Sequence, residues 1–257
     1  MKSKALSPED IKQLQLEMLK EIDSICNRNG IRYSLSYGTL LGAIRHKGFI
    51  PWDDDVDLIM PLPDIEQLKS VFKSDNLGIL DIDTCDYYEY QFPRIVHRGT
   101  YSRINRFNKW YGVSIDLYPV VGFTKYLHEI DSFMERGKSL QRKKLQYVEW
   151  YKRILRLTPF NIMPSGYKKA VRDLHSYVRQ FPYEGSKKYF HVGGPFKYYQ
   201  IFDYDVFETM TDVEFETYKF KCLSNYDDYL THVYGDYMKL PPENQRIPYH
   251  IGNYYWE

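Results

Sequence analysis

The sequence predicts an α+β fold in which a mixed β-sheet is flanked by helices and carries a helical insertion. Three observations point there. Apolar residues recur first at helical and then at strand spacing, in alternation, through the first half of the chain. An Asp cluster over residues 53–57 runs straight into the apolar residues Val56, Leu58, Ile59 and Met60, which read as a buried strand. A basic amphipathic stretch then interrupts the pattern. The chain accordingly divides into a sheet-containing core over 1–125, a basic helical insertion over 126–182, and a C-terminal part over 183–257 that completes the site, all within one compact domain.

Taken in order, Ser7 caps a first helix with Pro8 at its first position, and Ile11, Leu14, Met18, Ile22 and Ile25 carry the apolar stripe to a stop at Asn29-Gly30. Ile31 to Ser36 is a strand leading into a Gly38-Thr39 turn. Thr39 then caps the segment Leu40 to Arg45 and leaves backbone N–H groups aimed at an anion. Pro61 and Pro63 close the Asp-bearing strand, and Ile65 to Lys73 is a helix. Gly78 to Asp83, Tyr90 to Val96 and Val113 to Val121 are further strands.

In a strand, residues two apart share a face, so Asp55 and Asp57 project together roughly 7 Å apart at the backbone. Val56 and Leu58 then point into the core. Two converging carboxylates suit a hard cation such as Mg2+, with Mn2+ as the alternative, which keeps sites open for water and phosphate oxygens. Asp53 and Asp54 are secondary on this reading. An EF-hand loop is excluded, because the pattern started by Asp53, Asp55 and Asp57 meets Leu58 where Gly is required and Asp64 where Glu is required. Arg45, His46 and Lys47 add positive charge just before the cluster. A third carboxylate, Asp116, sits inside VSIDLYPVV, where a shared metal would offset its desolvation.

The Gly-Thr turn, the Asp-x-Asp strand and the later single Asp resemble the nucleotidyltransferase superfamily that shares the DNA polymerase beta palm. More narrowly, GTLLGAIRHKGFIPWDDDVDL resembles the signature of the LicD family of phosphocholine transferases, whose animal relatives include fukutin and the fukutin-related protein. The match continues in PRIVHRGTY, VSIDLYPV and YDDYLTHVYGDYMKLPPENQRIPYH, about half of the chain. The resemblance implies a nucleotidyltransferase fold and transfer of a phospho-alcohol, most often phosphocholine and in some relatives ribitol phosphate, from a CDP-activated donor. The acceptor would be a hydroxyl of a glycan or lipid-linked saccharide, as in lipopolysaccharide, teichoic acid or capsule synthesis. It also implies that Asp55, Asp57 and Asp116 hold Mg2+, that Gly38 and Thr39 lie against the donor phosphates, and that Arg45 and Lys47 neutralise the leaving nucleotide. Arg94 in the PRIVHRGTY block and Arg246 and His250 in the last block are further donor contacts. Asp116 is the candidate base for the attacking hydroxyl.

Hydrophobic and charged fractions of 43% and 27% are those of a folded protein, which excludes extended disorder. The aromatic fraction, 17%, serves cores and choline contacts equally well; Trp52, Trp110, Tyr111 and Tyr118 are candidates for an aromatic cage. Cys26, Cys85 and Cys222 lack metal spacing and read as reduced structural thiols. With neither an apolar leader nor a membrane-length apolar run, the expected location is the cytoplasm, or its membrane face.

From Glu135 to Gln180 twelve Lys and Arg accompany only Glu135, Glu149 and Asp173, a local charge of +9 that leaves −8 for the remainder. Leu140, Tyr147, Val148, Tyr151, Ile154 and Leu155 share one helical face there. Two readings stand: a helix lying on an anionic membrane surface, or an insertion packed on the enzyme with a solvated basic face. The stretch carries no nucleic-acid reading motif. His191 to Pro195 is a turn without a chemical signal. Two other functions remain open: nucleotidyl transfer from an NTP with the same three Asp, and a non-catalytic membrane-surface module.

Overall fold

The computed structural model describes residues 4–85, 88, 90–102, 112–123, 127–155, 165–192, 196, 201–203, 205–247 and 254–257, with the backbone alone at 127–129, 148–155 and 165. His250, Trp110, Tyr111 and the end of the His191 to Pro195 turn lie outside the described residues. The fold is mixed α+β. The chain forms two units: one of residues 1–79, 94–118 and 206–257, the other of 80–93 and 119–205. Each is assembled from separated stretches of sequence.

In the first unit, α1 (Pro8–Asn29) opens with the expected cap. The Ser7 Oγ accepts the Asp10 N–H at 3.1 Å, and the Asp10 carboxylate accepts the Ser7 N–H at 2.9 Å. Gly30 ends the helix at φ 65°, a left-handed conformation glycine adopts without strain. Its stripe Ile11, Met18, Ile22 and Ile25 is buried.

The next strand, β1, is only Ser34–Leu35, shorter than the expected Ile31 to Ser36. Arg32 pulls the chain out of ladder geometry, because its N–H and its guanidinium Nε both donate to Asp64 Oδ2, at 2.9 and 2.8 Å. Helix α2 (Tyr37–His46) follows, then β2 (Asp57–Pro61) and α3 (Leu62–Val71). α3 begins before Pro63 rather than after it. In the first helical turn the missing proline N–H would be unpaired in any case, so Pro63 starts a helix where it was expected only to close a strand.

Strands β3 (Leu77–Leu80), β4 (Arg94–His97), β5 (Thr100–Ser102) and β6 (Ser114–Phe123) complete the central region, with β3 and β4 shifted by a few residues from the expected positions. The sheet order is β1-β2-β6-β4-β3, and β6 pairs antiparallel with β4 so that Arg94 lies opposite Asp116. β2 is buried throughout, so it sits mid-sheet.

The second unit contains the last part of β6 and the helices α4 (Leu127–Leu155) and α5 (Ser165–Val178), which confirm the expected helical character of the basic stretch. β7 (Lys188–His191) pairs with Val120 to Phe123 of β6 and with β8 (Ile201–Phe202). Much of the aromatic content is spent here on packing: the Phe133 ring lies 4.7 to 4.9 Å from those of Phe181, Phe123 and Phe190. On α4, Ile130, Phe133, Met134 and Leu140 are buried while Arg136, Arg142 and Lys143 are exposed.

The chain ends in the first unit with the hairpin β9 (Met210–Phe215) and β10 (Tyr218–Leu223), the helix α6 (Tyr226–Tyr234), and β11 (Tyr254–Trp256), which pairs with β5. Cys26 and Cys222 are buried free thiols, pushed up to about 12 by that burial; Cys85 is also free. Among the described residues no helix is long and apolar enough to cross a membrane.

Candidate active site

The site grows from the junction of α2 with β2. α2 starts earlier than expected, at Tyr37 with Ser36 as its cap residue, so Thr39 lies inside the first turn and does not cap it. Instead the Thr39 Oγ1 accepts the Asp57 N–H at 2.8 Å and ties the helix to the start of the Asp-bearing strand. Gly38 has a similar role. A Cβ there would come within 2.3 Å of Asp53 Oδ2, so glycine lets the Asp53 carboxylate approach the helix backbone.

Asp57 opens β2, whereas Asp55 precedes the strand; the two are not strand neighbours on one face as the spacing suggested. The reason lies in the partners of the loop. Buried Gln15 of α1 donates to the Asp54 carbonyl at 3.1 Å, and the Asp116 N–H donates to the Val56 carbonyl at 3.0 Å, which holds 53–56 as a loop beside the sheet. Among the described residues, carboxylate oxygens of Asp53, Asp54 and Asp55 lie within 4.8 Å of one another, which brings forward the two acids that the sequence placed second.

Burial first, then the charges of Asp55, Asp116 and Asp53, push the Asp57 carboxyl well above the usual carboxylate range. Its Oδ1 is buried without a hydrogen-bond partner. Several hard oxygen donors, one of them buried and unsatisfied, form a set that fits Mg2+ or Mn2+. Tyrosines surround this charge. The phenols of Tyr118 and Tyr234 are raised by burial and next by Asp57, and Tyr37 meets Tyr118 edge-on at 5.5 Å. Tyr234 is 43% exposed as a whole residue, so water moderates the effect there.

Asp116 is paired. Arg94 Nη2 donates to its Oδ2 at 2.8 Å, Arg94 Nε lies 2.6 Å from Oδ1, and the Tyr118 hydroxyl reaches Oδ2 at 3.3 Å. In this arrangement Arg94, expected on a phosphate, faces a carboxylate. Arg45 Nη1 donates to the Tyr237 carbonyl at 2.7 Å and Arg246 Nε to the Pro241 carbonyl at 2.9 Å. Lys47 is exposed at the end of α2 in a left-handed conformation with φ 61°.

Two positioning contacts escaped the sequence reading. Glu216, at the turn between β9 and β10, accepts the Phe49 N–H at 3.0 Å and donates its own N–H to the Lys47 carbonyl at 2.7 Å. It fixes the loop that leads to the carboxylates, and Gly48 leaves room for it. Nothing in the sequence near Glu216 signals this. Gln15 did carry a signal, as a polar residue four positions after Ile11 on the apolar stripe of α1.

Residues 30–164 match the family described as LicD/FKTN/FKRP, nucleotidyltransferase domain. The chain belongs to the LicD family. It is 30% identical over 256 residues to the lipopolysaccharide cholinephosphotransferase LicD of Haemophilus influenzae, covering 93% of this chain and 94% of that protein. A shorter stretch of 56 residues is 45% identical to human ribitol 5-phosphate transferase FKRP, covering 21% of this chain and 11% of that protein. These two LicD-family relatives are, by name, transferases of phosphorylated alcohols. The family match takes in the α2–β2 junction and Asp116 together, so the carboxylates lie inside the part of the chain that defines the family.

Proposed function

We propose that this LicD-family chain is a phospho-alcohol transferase that moves phosphocholine from CDP-choline to a hydroxyl of a glycan or lipid-linked saccharide. The observation that carries this reading is Asp57, buried with an unsatisfied oxygen among three other carboxylates. Such a concentration of negative charge is costly unless a cation and the anion it recruits complete it.

Asp55, Asp57 and Asp116 would hold Mg2+ or Mn2+, with Asp53 beside them. A bound ion there supplies charge stabilisation for the phosphoryl and leaving oxygens. The α2 turn at Gly38 and Thr39 lies against the donor, and Arg45, Lys47, Arg246 and His250 offset its diphosphate charge. The acceptor oxygen bonds to the alcohol-bearing phosphorus, the bond from that phosphorus to the bridging oxygen breaks, and CMP leaves with the electron pair. The acceptor proton passes to Asp116. Arg94, which holds both carboxylate oxygens of Asp116, shifts to the donor phosphate as the donor binds and leaves the carboxylate open to accept that proton. The reaction takes place at the cytoplasmic face of a membrane, where the basic segment 135–180 meets anionic lipid; nucleic acid is no partner.

The test is a panel of CDP-choline, CDP-ribitol, CTP and ATP, read as protection against thermal unfolding and as transfer to saccharide acceptors. Protection and transfer with a CDP-alcohol are expected. Nucleotidyl transfer from CTP or ATP in their place would overturn the reading in favour of the NTP-dependent alternative.

A further inference from the structure

We propose that a cleft between α1, the start of β3 and the end of β4 binds a small molecule that carries a primary ammonium group on a short alkyl chain. The cleft offers about 440 Å3, within the range of small-ligand sites. Its lining residues are separate from the carboxylates of β2 and β6.

Shape and polarity set the two halves of the ligand. Leu14, Met18 and Leu77 make an apolar wall, against which a hydrocarbon chain leaves water. Glu17, Lys20 and Glu21 of α1 and Asn76 just before β3 place polar groups beside it. Leu14, Met18 and Glu21 are four and then three positions apart, so one face of α1 carries the apolar wall and a carboxylate together.

Charge decides which head group fits. The Lys20 ammonium is already spent within the protein: it donates to the Glu17 carboxylate at 2.7 Å and lies 3.7 Å from the centre of the Tyr218 ring. Glu21 is half-buried, and among the described residues its carboxylate has neither a hydrogen bond nor an ion pair. His97 adds no positive charge to the cleft. Burial lowers its imidazole from the ordinary value, and its Nδ1 is buried without a hydrogen-bond partner, so the doubly protonated ring would hold an unsatisfied N–H. One uncompensated carboxylate therefore remains, a partner for a cation. A primary ammonium donates three hydrogen bonds, enough for Glu21 and the side-chain carbonyl of Asn76. A quaternary ammonium donates none, and among the described residues no Phe, Tyr or Trp ring lines the cleft to face one.

The experiment titrates the full chain with pentylammonium chloride, read by calorimetry and by the methyl NMR signals of the methionines. Met18 lines the cleft, whereas Met60 lies in β2, three residues from Asp57, and reports any amine that settles on the catalytic carboxylates instead. Binding with a shift at Met18 is expected. Glu21→Gln should weaken it at least tenfold, and Asp55→Asn should leave the affinity unchanged. Pentanol, which lacks the charge, and tetramethylammonium, which lacks the donors, should each bind at least tenfold more weakly than pentylammonium. Wild-type protein that does not bind millimolar pentylammonium overturns the proposal, as does unchanged affinity in a folded Glu21→Gln variant. Binding that shifts Met60 and is lost in Asp55→Asn puts the amine on the catalytic carboxylates and overturns it as well. Tetramethylammonium binding as tight as pentylammonium overturns the assignment of a primary ammonium.

Discussion

The Thr39 hydroxyl accepts the backbone N–H of Asp57 at 2.8 Å, so the first turn of α2 sets where the Asp-bearing strand begins. Both residues are buried, at 3% and 6% exposure, and no water can replace the bond. Thr39→Val, close in shape, should therefore cost about 1 to 3 kcal/mol by leaving a buried N–H unsatisfied. Thr39→Ser should recover most of it. Urea unfolding of the two variants checks this, and equal losses would mean that packing of the methyl group matters more than the bond.

Asp57 links stability to the charge of the site in the opposite direction. Its folded carboxyl titrates well above 3.8, so it contributes stability that is present below that value and lost as pH rises through the folded value. In EDTA, Asp57→Asn should be more stable than wild type at neutral pH, with the gap closing as pH falls toward 4. The same variant should lose most turnover. A variant less stable than wild type at pH 7 would show that the carboxylate is better satisfied than its surroundings indicate.

Asp116 and Arg94 form a mostly buried pair, with side chains 12% and 17% exposed. Removing one partner strands the other, so Arg94→Gln should cost about 3 to 5 kcal/mol. Asp116→Asn should bind the CDP-donor within about tenfold of wild type, roughly 1.4 kcal/mol. Its transfer rate should fall by about a hundredfold or more. Single-turnover rates with calorimetric affinities separate the two effects; an unchanged rate would remove Asp116 from the proton path.

In the second unit, burial lowers the His191 imidazole from 6.5 to about 3. A depressed value contributes stability that is present above 6.5 and lost as pH falls. Between pH 7 and pH 5 the loss should reach about 2 kcal/mol, and His191→Phe should flatten it. Denaturant titrations at the two pH values measure the difference, and parallel curves for the two proteins would exclude the assignment.

The exposed Arg136, Arg142 and Lys143 of α4 test the membrane reading. The protein should sediment with anionic vesicles and release as salt rises, since screening shortens the reach of surface charge. Triple substitution to Gln should abolish sedimentation. Equal recovery with neutral vesicles would leave a solvated basic face as the role of the helix.

Elements with local signals are legible from adjacent residues alone. The Ser7 cap and Gly30 stop of α1, the buried run from Val56 to Met60, and the apolar stretch around Asp116 are each set by neighbours in the chain, through capping, φ preference or periodicity. The family pattern is likewise a string of adjacent residues. Features that depend on contacts remote in sequence are set only in the folded chain. Thr39 was read as a cap because its spacing to a helix suggested one, but its hydroxyl is taken by an amide eighteen positions later. β1 is short because Asp64 claims Arg32, and Asp55 leaves the strand because the loop carbonyls have partners on α1 and β6. The pairing of Arg94 with Asp116 follows from the register of β4 against β6. Periodicity tells which face of a strand is apolar, but register, and with it the partner of every charged group, is fixed only when the sheet assembles.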